Sequence, residues 1–107
     1  MSAVSDMLRK GDLFDFYGEL LSDHQKRIYE AYVCEDLSLS EIAETEGISR
    51  QGVSDLIRRC TQAMERYEKS LGLIERFAKL RSCCDEIIEA SDSDRVRQIA
   101  ESMKEEL

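Results

Sequence analysis

The chain contains little that could build strands, membrane spans or a signal sequence. Its 107 residues include no proline and five glycines, and they show no alternating run of β-branched residues, so no strand is expected. No apolar run approaches the roughly 20 residues that cross a bilayer, and the first residues hold no apolar signal core. We therefore expect a single all-α domain over residues 1–107, without membrane insertion and located in the cytoplasm.

The chain also lacks the residue groupings of metal sites and enzymes. Its four cysteines, Cys34, Cys60, Cys83 and Cys84, form no CxxC pair, and the single His24 is distant from them in sequence. They are better interpreted as small buried apolar residues than as zinc ligands. No phosphate-binding glycine loop and no Ser-His-Asp set is present. The sequence thus predicts a protein that is not an enzyme and needs neither a cofactor nor a metal.

A pair of helices joined by a tight turn is predicted within residues 37–59. Ser38 and Glu41 have the spacing of a capping box, in which two side chains accept hydrogen bonds from backbone N–H groups at the start of a helix. Gly47 follows that short helix and suits a sharp turn with positive φ. The hydroxyl of Ser49 is placed to cap the next helix. This pattern is typical of a helix-turn-helix.

The second helix of the pair is predicted to be long, running from Arg50 to a C-cap at Gly72. Apolar residues recur along it at helical spacing and define one buried face. They are Val53, Leu56, Ile57, Cys60, Ala63, Met64, Tyr67 and Leu71. On the preceding helix, the small side chain of Ala43 lets the two helices cross closely.

The outer face of the long helix carries the candidate DNA-contacting residues. They are Ser49, Arg50, Gln51, Ser54, Asp55, Arg58 and Arg59. Helix-turn-helix proteins insert the first turns of this helix into the major groove, where Arg pairs with guanine and Gln with adenine through two hydrogen bonds each. Lys26 and Arg27 are further candidates for phosphate contacts. Two alternatives are a solvated helix face and a helical hairpin that does not bind DNA.

Charge is distributed unevenly along the chain, whose net charge is −8. Residues 1–48 hold four Lys or Arg and eleven Asp or Glu, residues 49–84 hold eight and four, and residues 85–107 hold three and eight. The only basic segment therefore begins where the second helix of the motif begins. Because DNA affinity depends on Lys and Arg close to phosphates, this segment is the expected electrostatic contact. Its acidic flanks should weaken non-specific binding.

Helices are also predicted before the motif. A first helix is expected to start at about Val4 or Asp12 and to end at Leu21. Ser22 and Gln25 then form a second capping box, which opens a helix ending near Cys34. The helix-turn-helix core is accordingly assigned to residues 22–71.

Residues 73–107 are predicted to form a C-terminal helical hairpin with two apolar seams. The first seam has coiled-coil spacing and comprises Leu73, Phe77, Leu80, Cys84 and Ile87. Ser91 to Ser93 should end that helix, and the last one carries Val96, Ile99, Ala100, Met103 and Leu107. These seams can pack on the motif or pair with a second chain. A homodimer would place two reading helices about one turn of DNA apart.

The stretch LSDHQKRIYEAYV with residues 37–59 resembles the fourth region of bacterial sigma factors, which reads promoter DNA through a helix-turn-helix. A closer resemblance is to the YlxM family of small bacterial helix-turn-helix proteins. It is carried by FDFYGELLSDHQKRIYEAYVCEDLSLSEIAETEGISRQGVSDLIRR through ERYEKSLGL and covers about residues 14–73. Ser49, Arg50 and Gln51 match the start of the family's reading helix, whereas Gly52 and Ser54 depart from its usual pattern.

The resemblance implies an all-helical domain without a β-wing that binds DNA or regulates transcription and has no enzymatic activity. It also implies a link, by gene neighbourhood, to the signal recognition particle. Two hypotheses follow. The first is a DNA-binding regulatory protein. The second is a protein- or RNA-interaction module that uses the fold as a scaffold, with RNA polymerase or a component of the signal recognition pathway as partner; Asp55 and the acidic surface favour it.

Overall fold

The computed structural model describes residues 3–107. Over these residues the chain forms six α-helices and one short 3-10 helix, with no strand. Their bounds are α1 Ala3–Tyr17, the 3-10 helix Gly18–Leu20, α2 Asp23–Val33, α3 Leu39–Glu46, α4 Arg50–Leu71, α5 Leu73–Ala90 and α6 Asp94–Glu105. The predicted all-α fold is confirmed, with α3 and α4 forming the helix-turn-helix.

The contacts divide the chain into two compact units, residues 1–71 and residues 72–107. The boundary falls at Gly72, whose φ is 62°. The sequence predicts one domain over residues 1–107 with a C-terminal hairpin from residue 73, the residue at which α5 begins. The two units are called the first and the second unit below.

The first unit packs its helices around one apolar core. The buried side chains come from all four α-helices: Leu13 and Tyr17 of α1, Ile28 and Tyr29 of α2, Ile42 and Ala43 of α3, and Val53, Ile57, Cys60 and Met64 of α4. Helix α4 contacts α1, α2 and α3, so it is the element on which the other three assemble. Each large apolar side chain buried in this way contributes about 1.5–3 kcal/mol to stability.

The helix ends follow the predicted capping chemistry. The Ser22 hydroxyl accepts from the Gln25 N–H at 3.2 Å, and the Ser22 N–H donates to the Gln25 side chain at 3.0 Å. Ser38 and Glu41 make the same reciprocal pair, with both bonds at 3.1 Å. Both capping boxes are therefore confirmed, and they satisfy backbone donors that would otherwise lack a partner in the first turn.

Helix α1 ends earlier than predicted. It begins at Ala3 and stops at Tyr17, and the chain tightens into a 3-10 turn instead of continuing to Leu21. Gly18 is buried, and a Cβ atom there would lie 2.8 Å from the Phe14 ring. The close approach of this ring thus requires glycine at the end of the helix.

The predicted apolar stripe of α4 is only partly buried. Val53, Ile57, Cys60 and Met64 are buried, but Tyr67 and Leu71 are 36% and 48% exposed. Tyr67 still contacts the ring of Tyr17, with centroids 6.0 Å apart. Helical spacing therefore predicts which residues share the stripe but not how fully each one is covered.

The second unit is a hairpin of α5 and α6. Lys104 and Asp85 form an ion pair at 2.7 Å, and the Arg81 guanidinium donates to the Leu107 carbonyl oxygen at 2.6 Å. The loop between the helices ends at Ser93, whose hydroxyl accepts from the Val96 N–H. The hairpin and its serine cap agree with the sequence prediction.

The cysteines only partly follow the prediction that they are buried apolar residues. All four are free thiols; Cys60 and Cys84 are buried, whereas Cys34 and Cys83 are exposed. The exposure of Cys34 and Cys83 corrects the sequence-based prediction that all four cysteines are buried. Their positions along the helices did not show which of them another element would cover.

Candidate nucleic-acid interface

The turn between α3 and α4 is closed by a left-handed glycine. Gly47 has φ 71° and ψ 29°, and the N–H groups of Gly47 and Ile48 both donate to the Ala43 carbonyl oxygen, at 2.9 and 3.1 Å. These bonds satisfy a carbonyl group at the end of α3 while the chain reverses toward α4. Positive φ is accessible to glycine without the penalty that a Cβ atom imposes. The predicted turn is confirmed.

Ser49 positions the start of the reading helix. Its hydroxyl oxygen accepts a hydrogen bond from the Gly52 N–H at 2.9 Å, which is the N-cap interaction expected from the sequence. A Cβ atom on Gly52 would lie 3.1 Å from the same oxygen. Glycine at position 52 therefore leaves room for the cap.

Asp55 lies at the centre of the outward face of α4. One of its carboxylate oxygens, Oδ1, accepts from the Gln51 amide at 3.0 Å and from the Arg58 guanidinium at 3.3 Å. The spacings of four and three residues put all three side chains on the same side of the helix. Asp55 thus holds Gln51 and Arg58 in place on this face, and each retains further N–H donors.

Arg50 and Arg59 are the uncompensated cations of this surface. Both are exposed, and neither forms an ion pair with any residue that the structure describes. Arg50 belongs to the first turn of α4 and Arg59 to the third. Their guanidinium groups can therefore bind an external anion without first losing an internal partner.

The two sides of the outward face of α4 lie beside separate depressions. The first has a volume of about 290 Å³ and is lined by Ser54 and Arg58 together with Lys10 and Gln62. The second, of about 450 Å³, places Asp55 and Arg59 beside His24 at the start of α2.

Sequence reasoning missed Lys10 and Gln62 as members of this surface. Gln62 follows Arg58 by four residues, so helical spacing could have revealed it. Lys10 comes from α1 and is ion-paired with Asp6. No local signal predicts its position beside Ser54, because that position depends on the packing of α1 against α4.

Lys26 and Arg27 are engaged inside the first unit. Arg27 makes a two-pronged contact with Glu46 at 2.6 and 3.1 Å, which raises the pKa of Arg27 and lowers the pKa of Glu46 below its usual range. Lys26 is paired with Glu19, and this hydrogen bond raises the pKa of Lys26. These two residues tie α2 to its neighbours and must exchange partners before they can contact phosphate.

The geometry defines a helix-turn-helix protein, and comparison with known proteins gives the family. Residues 4–105 match the family model described as "Putative helix-turn-helix protein, YlxM / p13 like". The chain is 44% identical over 89 residues to a UPF0122 protein of Symbiobacterium thermophilum, covering 83% of each chain. It is 42% identical over 96 residues to one of Shouchella clausii, covering 90% of this chain and 88% of the relative. The chain belongs to this YlxM/p13-like UPF0122 family, as the sequence resemblance implied.

Two further observations concern the described residues. None of their helices is long and apolar enough to cross a membrane. No group of three His, Cys, Asp or Glu side chains among residues 3–107 is arranged to hold a metal ion.

Proposed function

We propose that this protein binds double-stranded DNA through its helix-turn-helix and acts as a non-enzymatic transcriptional regulator in the cytoplasm. The observation that carries the proposal is the exposure of Arg50 and Arg59 in the first three turns of α4, where neither has an ion-pair partner among the described residues. Helix α4 follows a left-handed glycine turn at Gly47, and the chain belongs to a helix-turn-helix family.

Each candidate residue has a distinct proposed role. Arg50 and Gln51, in the first turn of α4, read base edges in the major groove. Arg58 and Arg59 contact phosphates, and Ser54 lies close to the groove wall. Ser49 fixes the start of the helix through its cap, while Asp55 orients Gln51 and Arg58.

Asp55 also sets an electrostatic limit on affinity. Its carboxylate lies within 3.3 Å of the Arg58 guanidinium, so part of the positive charge on this face is neutralised before DNA arrives. The N-terminal and C-terminal segments are acidic and repel the duplex. We therefore expect weak non-specific binding that falls steeply as salt rises.

The test is a binding titration on duplex DNA from the region around the protein's own gene, repeated across a salt series. Arg59→Ala should weaken binding to all duplexes alike and reduce the slope of log K against log salt by about one, because one phosphate contact is lost. Arg50→Ala should instead reduce discrimination between preferred and scrambled duplexes by about 1–3 kcal/mol, because a base contact is lost.

Arg95→Ala is the matched control, since it removes the same charge from an exposed position on α6 of the second unit. It should leave both the affinity and the salt slope close to those of the unaltered protein. Equal effects of the three substitutions on duplex affinity would show that only the net charge of the protein matters, and would overturn the proposed DNA-contacting face.

A second candidate function is supported by a groove on α1. Val4 and Leu8 are 68% and 65% exposed and line a groove of about 570 Å³ together with Asp12, Asp15 and Asp36. A groove lined by apolar and acidic side chains suits a basic amphipathic helix of a protein partner. RNA polymerase or a component of the signal recognition pathway is the candidate partner. Duplex affinity that is insensitive to both Arg50→Ala and Arg59→Ala would favour this function.

A further inference from the structure

The second unit buries too little apolar surface to account for its own stability. Among residues 72–107 only Cys84 and Ala100 are buried, and both have small side chains. Five large apolar side chains remain 38–50% exposed, namely Leu80, Ile87, Val96, Ile99 and Met103. Units below about 40 residues usually need a disulfide, a metal or association with another chain. The cysteines here are free, so a second chain covering this apolar surface would add stability that the hairpin itself does not supply.

The exposed apolar side chains of the two helices lie on the same face of the hairpin. The opposite face is marked by a cavity lined by Asp85 and Ile88 of α5 and by Glu101, Lys104 and Glu105 of α6, so four of its five lining residues are charged. Because each helical residue advances by about 100°, Ile87 points roughly 160° away from Asp85, and Met103 lies at a similar angle from Glu101. The hairpin therefore has one charged face and one apolar face.

On α5 the apolar face is a stripe with coiled-coil spacing. Leu80, Cys83 and Ile87 follow one another at intervals of three and four residues, the pattern of a helix that packs along another helix. Cys83 is exposed and stands in the middle of this stripe. The stripe presents a narrow seam to a partner helix, with Cys83 near its centre.

The charges of α5 identify the partner. Arg76 and Lys79 precede Cys83 along the stripe, and Glu86 follows it, whereas Asp85 and Glu89 lie on the opposite side of α5. A second copy of α5 packed in the opposite direction places Lys79 of each chain near Glu86 of the other, twice, through a single two-fold axis. A parallel arrangement would place like charges together. The charge pattern thus matches an antiparallel copy of the same helix.

We propose that the apolar face of the second unit is a two-fold symmetric dimer interface, in which α5 packs antiparallel on α5 of a second copy with the axis beside Cys83. Lys79 and Glu86 lie seven residues apart on the same flank of the stripe. In this arrangement Lys79 of each chain faces Glu86 of the other. Lys79 is available for this contact, because its ion pair with Glu75 is between two side chains that are both largely exposed.

The proposal deepens the DNA-binding function, because two copies carry two reading helices, yet its test uses no residue of the DNA interface. A short bismaleimide cross-linker is applied to the full chain at micromolar concentration. The Cys34→Ser variant keeps Cys83 as its only exposed thiol and should give a covalent species of twice the 12.3 kDa chain mass. The Cys83→Ser variant, which keeps exposed Cys34, should give none.

Charge reversal tests the antiparallel register. Lys79→Glu and Glu86→Lys, measured separately by sedimentation equilibrium, should each weaken dimerisation by about tenfold, because each creates two like-charge contacts across the axis. The double variant Lys79→Glu with Glu86→Lys restores opposite charges and should recover the original dissociation constant. Circular dichroism checks that each variant keeps its helical content.

Three results would overturn the proposal. The first is a monomer at all concentrations, which would mean that the first unit or nothing covers this face. The second is cross-linking through Cys34 instead of Cys83, and the third is a double variant that dimerises as weakly as the single variants. Loss of DNA binding would leave all three measurements unchanged, so the two proposals fail separately.

Discussion

Two glycines of the first unit have opposite relations to their surroundings. Gly47 is held at φ 71° by the turn between α3 and α4, whereas Gly11 lies inside α1 with nothing within 4 Å of the position a Cβ atom would take. The first needs a conformation that side chains resist, and the second lies in a helix that a side chain would favour. They form a matched pair for measuring how much of the fold depends on the turn.

At the residue scale we expect Gly47→Ala to destabilise the protein by about 1–2 kcal/mol, because an L-residue pays that amount in the left-handed region. Gly11→Ala should stabilise it by up to about 1 kcal/mol, since alanine is the better helix former. Urea unfolding followed by circular dichroism measures both changes. Two shifts of the same sign would contradict the assignment of the turn to Gly47.

Residue-scale features were the most predictable from the sequence. The serine caps, the left-handed glycine and the glutamate of the capping box all act within four residues of one another, so the local sequence specifies them. The joint role of Asp55 has the same local origin, yet spacing alone could not determine which of its neighbours would donate to it. Ion pairs that depend on tertiary packing, such as the one between Arg27 and Glu46, could not be predicted from the local sequence.

At the element scale, α2 and α4 are joined by one polar pair within the apolar core. The Tyr29 hydroxyl donates to Thr61 Oγ1 at 2.7 Å, and the Thr61 hydroxyl in turn donates to the Ile57 carbonyl oxygen at 2.7 Å. Burial raises the pKa of Tyr29 to about 12, so its hydroxyl stays protonated and acts as the donor. Because a hydrogen bond requires a defined geometry, the pair fixes the position of α2 on α4 more narrowly than apolar packing alone.

Replacing Thr61 by Val should therefore lower the free energy of unfolding by about 1–3 kcal/mol, because the buried Tyr29 hydroxyl loses its acceptor. Thr45→Val is the control. Thr45 also donates to the carbonyl oxygen four residues earlier, that of Glu41, at 3.0 Å, but it is exposed. Denaturant unfolding should show a much smaller change for the control. Equal changes would mean that the back-bond to the helix carbonyl, and not Tyr29, determines the effect.

The positions of the helices were predicted with fewer errors than the burial of their faces. Periodicity indicated an apolar face on α4 and α5, and both faces exist. It could not indicate what covers each face: the exposure of Tyr67 was unforeseen, and the seam with Leu80 and Ile87 was left open to packing on the motif or on a second chain. The position of Lys10 beside Ser54 could not be predicted for the same reason. The two residues are far apart along the chain, and only the packing of α1 on α4 brings them together.

At the scale of the whole molecule, the charge pattern and the proposed dimer together predict how affinity depends on DNA length. Two reading helices on one particle need a duplex long enough to meet both, and binding at the second site then benefits from a high effective concentration. A single chain has no such advantage. Duplex length therefore separates the contribution of the dimer from that of the individual helix-turn-helix.

We expect the dimer to bind a duplex of about 30 base pairs at least tenfold more tightly than one of about 12 base pairs, which covers roughly one turn. The Lys79→Glu variant should bind both duplexes with similar affinity per site. Fluorescence anisotropy at fixed salt measures the ratio. An unchanged length dependence in this variant would show that a monomer accounts for it, or that the dimer forms elsewhere.

The separation between the two sides of α4 has a consequence for how this protein can change over evolutionary time. The side chains that hold the first unit together point inward, at Val53, Ile57, Cys60 and Met64, and are buried. Arg50 and Gln51 are exposed and are not part of that core. Substitutions at the outward positions can alter what the protein recognises without loss of folding stability. A lineage could therefore exchange one target for another through single steps, each of which leaves a folded protein.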